Sequence, residues 1–186
     1  MAKKILVVVD VQNDFVYGSL GSKEAVAVVP NIVKKINEYR NNGDFVIFTK
    51  DTHEVNYLNT QEGRKLPVEH CIRNTWGWEI ISELAVEEES PDLRKIRYKD
   101  TFGYHWDYLP WIGMFELGKP TYEVEIIGLC TDICVITNAL CLKTEFPEVE
   151  ITVDASCCAG STVERHKAAL EVMKSCQINV IGEEDE

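Results

Sequence analysis

Four positions carry side chains that could do chemistry together, and each closes an apolar run: Asp10 after "ILVVV", Asp51 after "FVIFTK", Lys99 after "KIRY", and Cys134 in "IIGLCTDICV". An acid, an amine and a thiol are the parts of an activated nucleophile: base, cation and attacking sulfur. Cys134 falls in the first turn of an expected helix that Thr131 or Asp132 would cap. Unpaired amides and the positive end of a helix dipole there favour a thiolate. Cys130 precedes the helix, where a small apolar filler is expected and its backbone N–H matters more than its sulfur. A thiolate beside Asp10 is opposed by like charge, so a cation is required, and Lys99 can supply it. Taken singly, a strand-end Asp is an ordinary cap, a Lys a solvated charge and a Cys a buried hydrophobe. Their succession along the chain is what joins them.

The elements that must position them alternate. Residues 3–10, "KKILVVVD", form a Val-rich run suited to a strand buried on both faces. Residues 25–43 carry a helical period through Val29, Ile32, Val33, Ile36 and Tyr39, stopped by Gly43. Further strands are expected over 44–50, 92–99, 121–128, 149–156 and 178–181, and helices over 78–85, 131–145 and 162–176, with a turn and an aromatic-rich short helix over 101–118. This order predicts an α/β three-layer sandwich with a mostly parallel, doubly wound sheet of Rossmann-like topology. Ligands of such sheets gather outside the carboxyl ends of the strands, where Asp10, Asp51, Lys99 and the 128–134 turn all fall.

A chain of 186 residues with 45% apolar content suits one domain over 1–186, with a lid loop at about 51–78 and an acidic tail. The net charge of −12 argues against nucleic acid, and no apolar run is long enough for a membrane span or a signal segment. Seven cysteines without a paired framework read as free thiols, and the location expected is cytoplasmic.

The segments "VVVDVQNDF", "KDTH", "YKDTF" and "IIGLCTDICV" resemble the signature stretches of the isochorismatase-like cysteine hydrolases, and "DTHEVNYLNTQEGRKLPVEHC" resembles their nicotinamidase (pyrazinamidase) branch. The resemblance implies a triad of Asp10, Lys99 and Cys134, with Lys95 a competitor that lacks the aromatic residue, Phe102, three positions on. It implies a non-proline cis peptide at Leu129–Cys130 and an oxyanion hole from the N–H groups of Cys130 and Cys134. It implies hydrolysis of a small carboxamide, nicotinamide to nicotinate plus ammonia, through a thioester on Cys134. It further implies a divalent metal, zinc with manganese or iron as alternatives, on Asp51, His53, Glu62 and His70. Asp51 and His53 alternate along an extended segment and so share a side; Glu54 and Asn59 compete with Glu62. Without the resemblance, D-x-H is also a turn and His70 a loop hydrogen-bonder. Phe15 and Trp106 fall where the family stacks aromatics on a flat ring, and Leu66 replaces a tryptophan common in the branch. His105 and His166 are expected to take no part, one in an aromatic cluster and the other on a charged helix face. Family members are often oligomeric, so a homo-oligomer is an open expectation.

Two other functions fit parts of the pattern. A metal-free relative would act on another small amide, a ureido compound or isochorismate, although a dianion would want more cations than Arg64, Lys65 and Arg73 against Glu54, Glu62 and Glu69. A receiver-like phosphoacceptor module also uses strand-end Asp and a Lys, but leaves the His-bearing loop and T-D-x-C without a role.

Overall fold

The computed structural model describes residues 3–86, 96–109, 115–116 and 119–183. Six parallel strands form one sheet: β1 (Lys3–Val9), β2 (Phe45–Asp51), β3 (Ile96–Lys99), β6 (Tyr122–Leu129), β7 (Ile151–Ala159) and β8 (Asn179–Ile181), in the order β3-β2-β1-β6-β7-β8. A separate antiparallel pair, β4 (Phe115–Glu116) and β5 (Lys119–Pro120), lies between β3 and β6 in the chain. Strand order reverses between β1 and β6, and such a switch point opens a crevice at the carboxyl ends of the two strands.

Both faces of the sheet are covered. Along β1 the side chains alternate: Ile5, Val7 and Val9 join the core under α4 (Ile136–Glu145) and α5 (Val163–Ser175), while Leu6 and Val8 join that under α1 (Asn13–Val16) and α2 (Lys23–Asn42). Two caps set the ends of α2: Ser22 accepts from the Ala25 N–H at 3.0 Å, and Gly43 takes the left-handed φ of 73°. This helix is also tied to the sheet by charge. Lys35 lies 2.7 Å from Glu125 on β6 and 2.8 Å from Asp154 on β7.

Gly128 matters to the crevice. Its φ is 121°, and a Cβ there would overlap the backbone carbonyl of Val9, its register partner on β1. A side chain would both strain the backbone and push β1 from β6 where their ends carry Asp10 and Cys130.

The expected strands and long helices are present with shifted ends, and several local readings change. The helix expected over 78–85 shrinks to a 3-10 turn, Ser82–Leu84. The 51–78 loop contains a 3-10 turn at Tyr57–Asn59 and the short α3 (Gln61–Lys65). The aromatic stretch of 101–118 holds a 3-10 turn, Trp106–Tyr108, and the β4–β5 pair; its residues 110–114 and 117–118, like 92–95 of the expected third strand and most of the acidic run 86–92, lie outside the described residues. No helix among the described residues is long and apolar enough to cross a membrane.

Candidate active site

Asp10 leaves β1 with a φ of 49° and is fully buried. Thr49 of β2 holds it from two sides, accepting from the Asp10 N–H at 3.2 Å and donating its hydroxyl to Oδ1 at 2.7 Å. Lys99, at the end of β3, reaches across β2 so that Nζ stands 2.6 Å from Asp10 Oδ2. Neighbouring strands are about 5 Å apart, so only a long side chain can bridge two of them. The contact is a buried ion pair. The same Nζ lies 3.7 Å from Cys134 Sγ and 3.5 Å from Asp51 Oδ1.

The turn that carries Cys134 differs from the expected helix start. Residues Thr131–Val135 form a π-helical turn before α4, a feature concentrated at functional sites. The Cys130 carbonyl accepts from the amides of Ile133 and Val135, both at 3.1 Å, passing over Cys134 between them. The Leu129–Cys130 peptide is cis. Neither Thr131 nor Asp132 caps the turn: Cys130 stands at the cap position without a side-chain bond. Asp132 instead accepts from the N–H and hydroxyl of Ser161 at 2.7 and 2.6 Å. The Thr131 hydroxyl meets His166 Nδ1 at 2.7 Å, so His166 turns inward rather than lying on a solvated face.

Burial decides the charge states. It pushes the Cys134 thiol well above its ordinary value; Lys99 offsets part of this, and Asp10 and Asp51 add to it. Burial thus favours the thiol over the thiolate, and Lys99 opposes it. Burial also raises Asp10, against the pull of Lys99, while Lys99 is raised because Asp10, Cys134 and Asp51 together outweigh its own desolvation. A carboxylate held above its usual range beside a protonated thiol is suited to accept that proton when the sulfur attacks.

Asp51 links this group to a second. Its Oδ2 lies 3.0 Å from His53 Nε2 and 3.6 Å from His70 Nε2, and ligand atoms of the three residues fall within 4.8 Å of one another. Glu62, on α3, places Oε1 3.9 Å from His53 and 4.0 Å from His70 and belongs to the rim of the cluster. The residues fit a metal ion on two grounds. His53 Nε2 is buried with no hydrogen-bond partner among the described residues, despite its short approach to Asp51. His70 Nδ1 meets the Val68 carbonyl at 2.9 Å, which fixes the N–H there and leaves the Nε2 lone pair facing the cluster. Burial would raise the Asp51 carboxyl, but Lys99 and both imidazoles outweigh it, and the group is held below its ordinary value, ionised as a ligand must be.

A cavity of about 620 Å³ is lined by residues that include His53, Glu62, Tyr98, Lys99 and Phe102. Phe15, Leu66 and Trp106 do not line that cavity, and neither do Asp10 and Cys134. Phe15 is buried behind the metal cluster, its ring 5.6 Å from that of His70. Leu66 is partly exposed and contributes its carbonyl to the Tyr57 hydroxyl at 3.0 Å. Trp106 is buried in the core with its indole N–H on Asn138 at 3.1 Å. His105 is exposed.

Three supporting residues escaped the sequence reading. Gln12 is fully buried; its amide donates to the carbonyls of Asp51 and Trp78, both at 2.8 Å, and accepts from the Asp51 N–H at 2.7 Å. Tyr57 packs its ring against both imidazoles, at 4.7 Å from His53 and 4.9 Å from His70. Thr49 fixes Asp10. A polar residue two places past Asp10, in a run otherwise bound for the core, was the one available signal.

The chain is similar to known proteins across nearly its whole length. The nicotinamidase of Schizosaccharomyces pombe is 29% identical over 97% of this chain and 93% of its own. Two solved structures superpose across nearly the whole chain at 25% identity. The pyrazinamidase of Pyrococcus horikoshii in complex with zinc gives a TM-score of 0.77 over 96% of this chain and 98% of its own. The nicotinamidase/pyrazinamidase of Bacillus subtilis gives 0.79 over 96% and 99%. The isochorismatase domain model matches residues 4–185, and the chain belongs to that family.

Proposed function

We propose that the protein is a cysteine amidohydrolase that converts nicotinamide, or a closely similar ring carboxamide, to the acid and ammonia. The observation that carries this reading is the position of Lys99 Nζ, within 3.7 Å of an acid, a thiol and the carboxylate that begins the metal cluster. Cys134 Sγ attacks the amide carbon while its proton passes to Asp10, and Lys99 keeps the acid and the developing thiolate compatible. The N–H groups of Cys130 and Cys134 hold the oxyanion; each such donor is worth about 3 kcal/mol. Asp10 returns the proton to the leaving nitrogen, which departs as ammonia and leaves a thioester on Cys134. Asp10 then takes a proton from water as its oxygen attacks the thioester; the acid forms, and the proton returns to the sulfur.

Asp51, His53 and His70, with Glu62 at the rim, would hold a divalent ion, for which two imidazoles and carboxylates suit zinc. That ion would supply a Lewis-acidic anchor for a ring nitrogen.

The test is ammonia release from purified protein with nicotinamide and a panel of small amides, before and after chelation, with metal analysis alongside. Turnover of nicotinamide with a KM at least about tenfold higher after chelation is expected. No ammonia from any amide, or full activity with an unchanged KM in metal-free protein, would overturn the enzyme or the metal assignment respectively.

A further inference from the structure

In the proposed reaction the N–H groups of Cys130 and Cys134 hold the oxyanion. The first amides of a helical turn have no partner inside it, so side chains must hold the backbone of 130–132. The two residues that follow Cys130 both reach out of their own turn to the start of α5. Thr131 is fully buried, and its hydroxyl shares a 2.7 Å hydrogen bond with His166 Nδ1. Asp132 accepts from the Ser161 N–H at 2.7 Å and from the Ser161 hydroxyl at 2.6 Å. That helix start is itself well fixed. Thr162 caps it by accepting from the Arg165 N–H at 3.1 Å, and the His166 N–H donates to the Thr162 carbonyl at 2.9 Å. Gly160, just past the end of β7, packs on the same residue: a Cβ there would stand 2.8 Å from His166 Cβ and 2.9 Å from its Cα. The imidazole thus springs from a fixed base and ends on the residue next to an oxyanion donor.

We propose that His166 is a positioning residue for the oxyanion hole: through the Thr131 hydroxyl, and beside the Asp132–Ser161 pair, it sets the direction of the Cys130 N–H. The inference rests on the amidase reading. His166 meets Thr131 through Nδ1, a ring atom bonded to Cγ. An asparagine amide atom can therefore take its place, whereas the amide of a glutamine lies one bond too far out. A misdirected oxyanion donor loses transition-state stabilisation without loosening the bound substrate, and about tenfold to a hundredfold of kcat can be lost this way. Thr131 and His166 act as one unit, so their losses do not add.

The experiment compares Thr131→Val, Thr131→Ser, His166→Gln, His166→Asn and the double variant Thr131→Val/His166→Gln. It measures kcat and KM for nicotinamide, inhibition by pyridine-3-carbaldehyde, and alkylation of Cys134 by iodoacetamide, located by tandem mass spectrometry. The aldehyde carbon takes Sγ while the thiol proton passes to Asp10, which leaves an oxyanion in the hole; alkylation displaces iodide and makes no oxyanion. Thr131→Val and His166→Gln are expected to lower kcat about tenfold to a hundredfold and to weaken the aldehyde in step. KM should stay within about threefold of wild type and alkylation within about twofold. Thr131→Ser and His166→Asn should keep kcat within about threefold, and the double variant should match the worse single one. Additive losses, equal kcat in His166→Gln and His166→Asn, a loss in KM rather than kcat, or alkylation falling together with kcat would overturn the inference. Thr131→Val keeps the shape of the buried side chain; should it not fold, the two His166 variants carry the test. Wild-type protein that releases no ammonia from any amide defeats the amidase reading and this proposal with it; wild-type turnover of nicotinamide with an unaffected kcat in His166→Gln defeats only this proposal.

Discussion

Lys99 and Lys35 each face two carboxylates, yet the two clusters are built to opposite ends. Around Lys35 other donors brace the carboxylates: the Tyr39 hydroxyl donates to Glu125 at 2.6 Å, and the Ser156 N–H and hydroxyl donate to Asp154 at 3.0 and 2.6 Å, although Glu125 Oε1, like Asp10 Oδ2, has no hydrogen-bond partner among the described residues. Burial would raise the Asp154 carboxyl, but Lys35 and Ser156 outweigh it and hold the group below its ordinary value. Around Lys99 the acid that matters is raised instead, and the thiol beside it is raised as well. One cluster lies mid-strand under α2, where charge is used to seat a helix. The other lies at strand ends on the crevice, where charge is kept under tension so that a proton can move. Ion pairs with similar residue types thus serve stability in one place and reactivity in the other, and depth of burial separates them: the Lys99–Asp10 pair is almost wholly buried, whereas Lys35 is partly solvated.

Several substitutions break or sharpen that contrast. Cys134→Ala is expected to reduce turnover of nicotinamide by at least about 10⁴-fold, with Cys130→Ala within about tenfold of wild type; equal losses would assign the chemistry to the wrong sulfur. Lys99→Met leaves buried carboxylates without their cation and should cost about 3–5 kcal/mol in denaturant unfolding as well as activity. Lys35→Met, with its side chain partly solvated, should cost about 1–3 kcal/mol and leave kcat intact. A dead Lys35→Met enzyme of normal stability would erase the distinction.

The acids should respond with opposite signs. Asp154 is lowered in the folded protein, so its contribution to stability is present above the ordinary value of 3.8 and is lost as pH falls through the lowered one. Asp10 is raised, so its contribution is present below 3.8 and is lost as pH rises through the raised value; at neutral pH its charge is a cost. Asp154→Asn is therefore expected to lower Tm at pH 7 by a few degrees, roughly 1 kcal/mol, and Asp10→Asn to leave Tm equal or higher while removing activity. The smallest effect concerns the pH profile. Because Asp10 must be ionised to take the thiol proton, the acid limb of kcat/KM should lie above 3.8 and should not move in Asp154→Asn.

Much of this architecture was readable because it follows from periodicity. The Val-rich β1, the helical stripe of α2 and the alternation of strands and helices report which faces are buried, and strand ends in such a sheet converge whatever else the chain does. The strand-end positions of Asp10, Asp51, Lys99 and Cys134 follow in the same way, whereas the metal-ligand set with His53, Glu62 and His70 came from the family resemblance. What escaped depends on partners distant in sequence. The upward pressure of burial on the Cys134 thiol is one such effect, since no local pattern displays it. Asn138 looks like an ordinary helical residue until the aromatic segment is laid over it, and the π-helical turn at Thr131–Val135 has the same local propensities as an α-helix start. Trp106 was expected near a ligand from the position the family gives it; its burial in the core and its bond to Asn138 depend on partners that the local sequence does not display.

Gln12 leaves a last consequence. It clasps the chain where the metal loop departs, at Asp51, and where it returns, at Trp78, while His53 and Ile72 bridge just inside those points and Asp14 fastens Cys71 at 2.8 Å. The intervening residues form an arch on two fixed piers. Lengthening an arch of this kind costs little closure entropy, so its crown could be rebuilt to admit different guests while both imidazoles, and the reaction beneath them, stay in place.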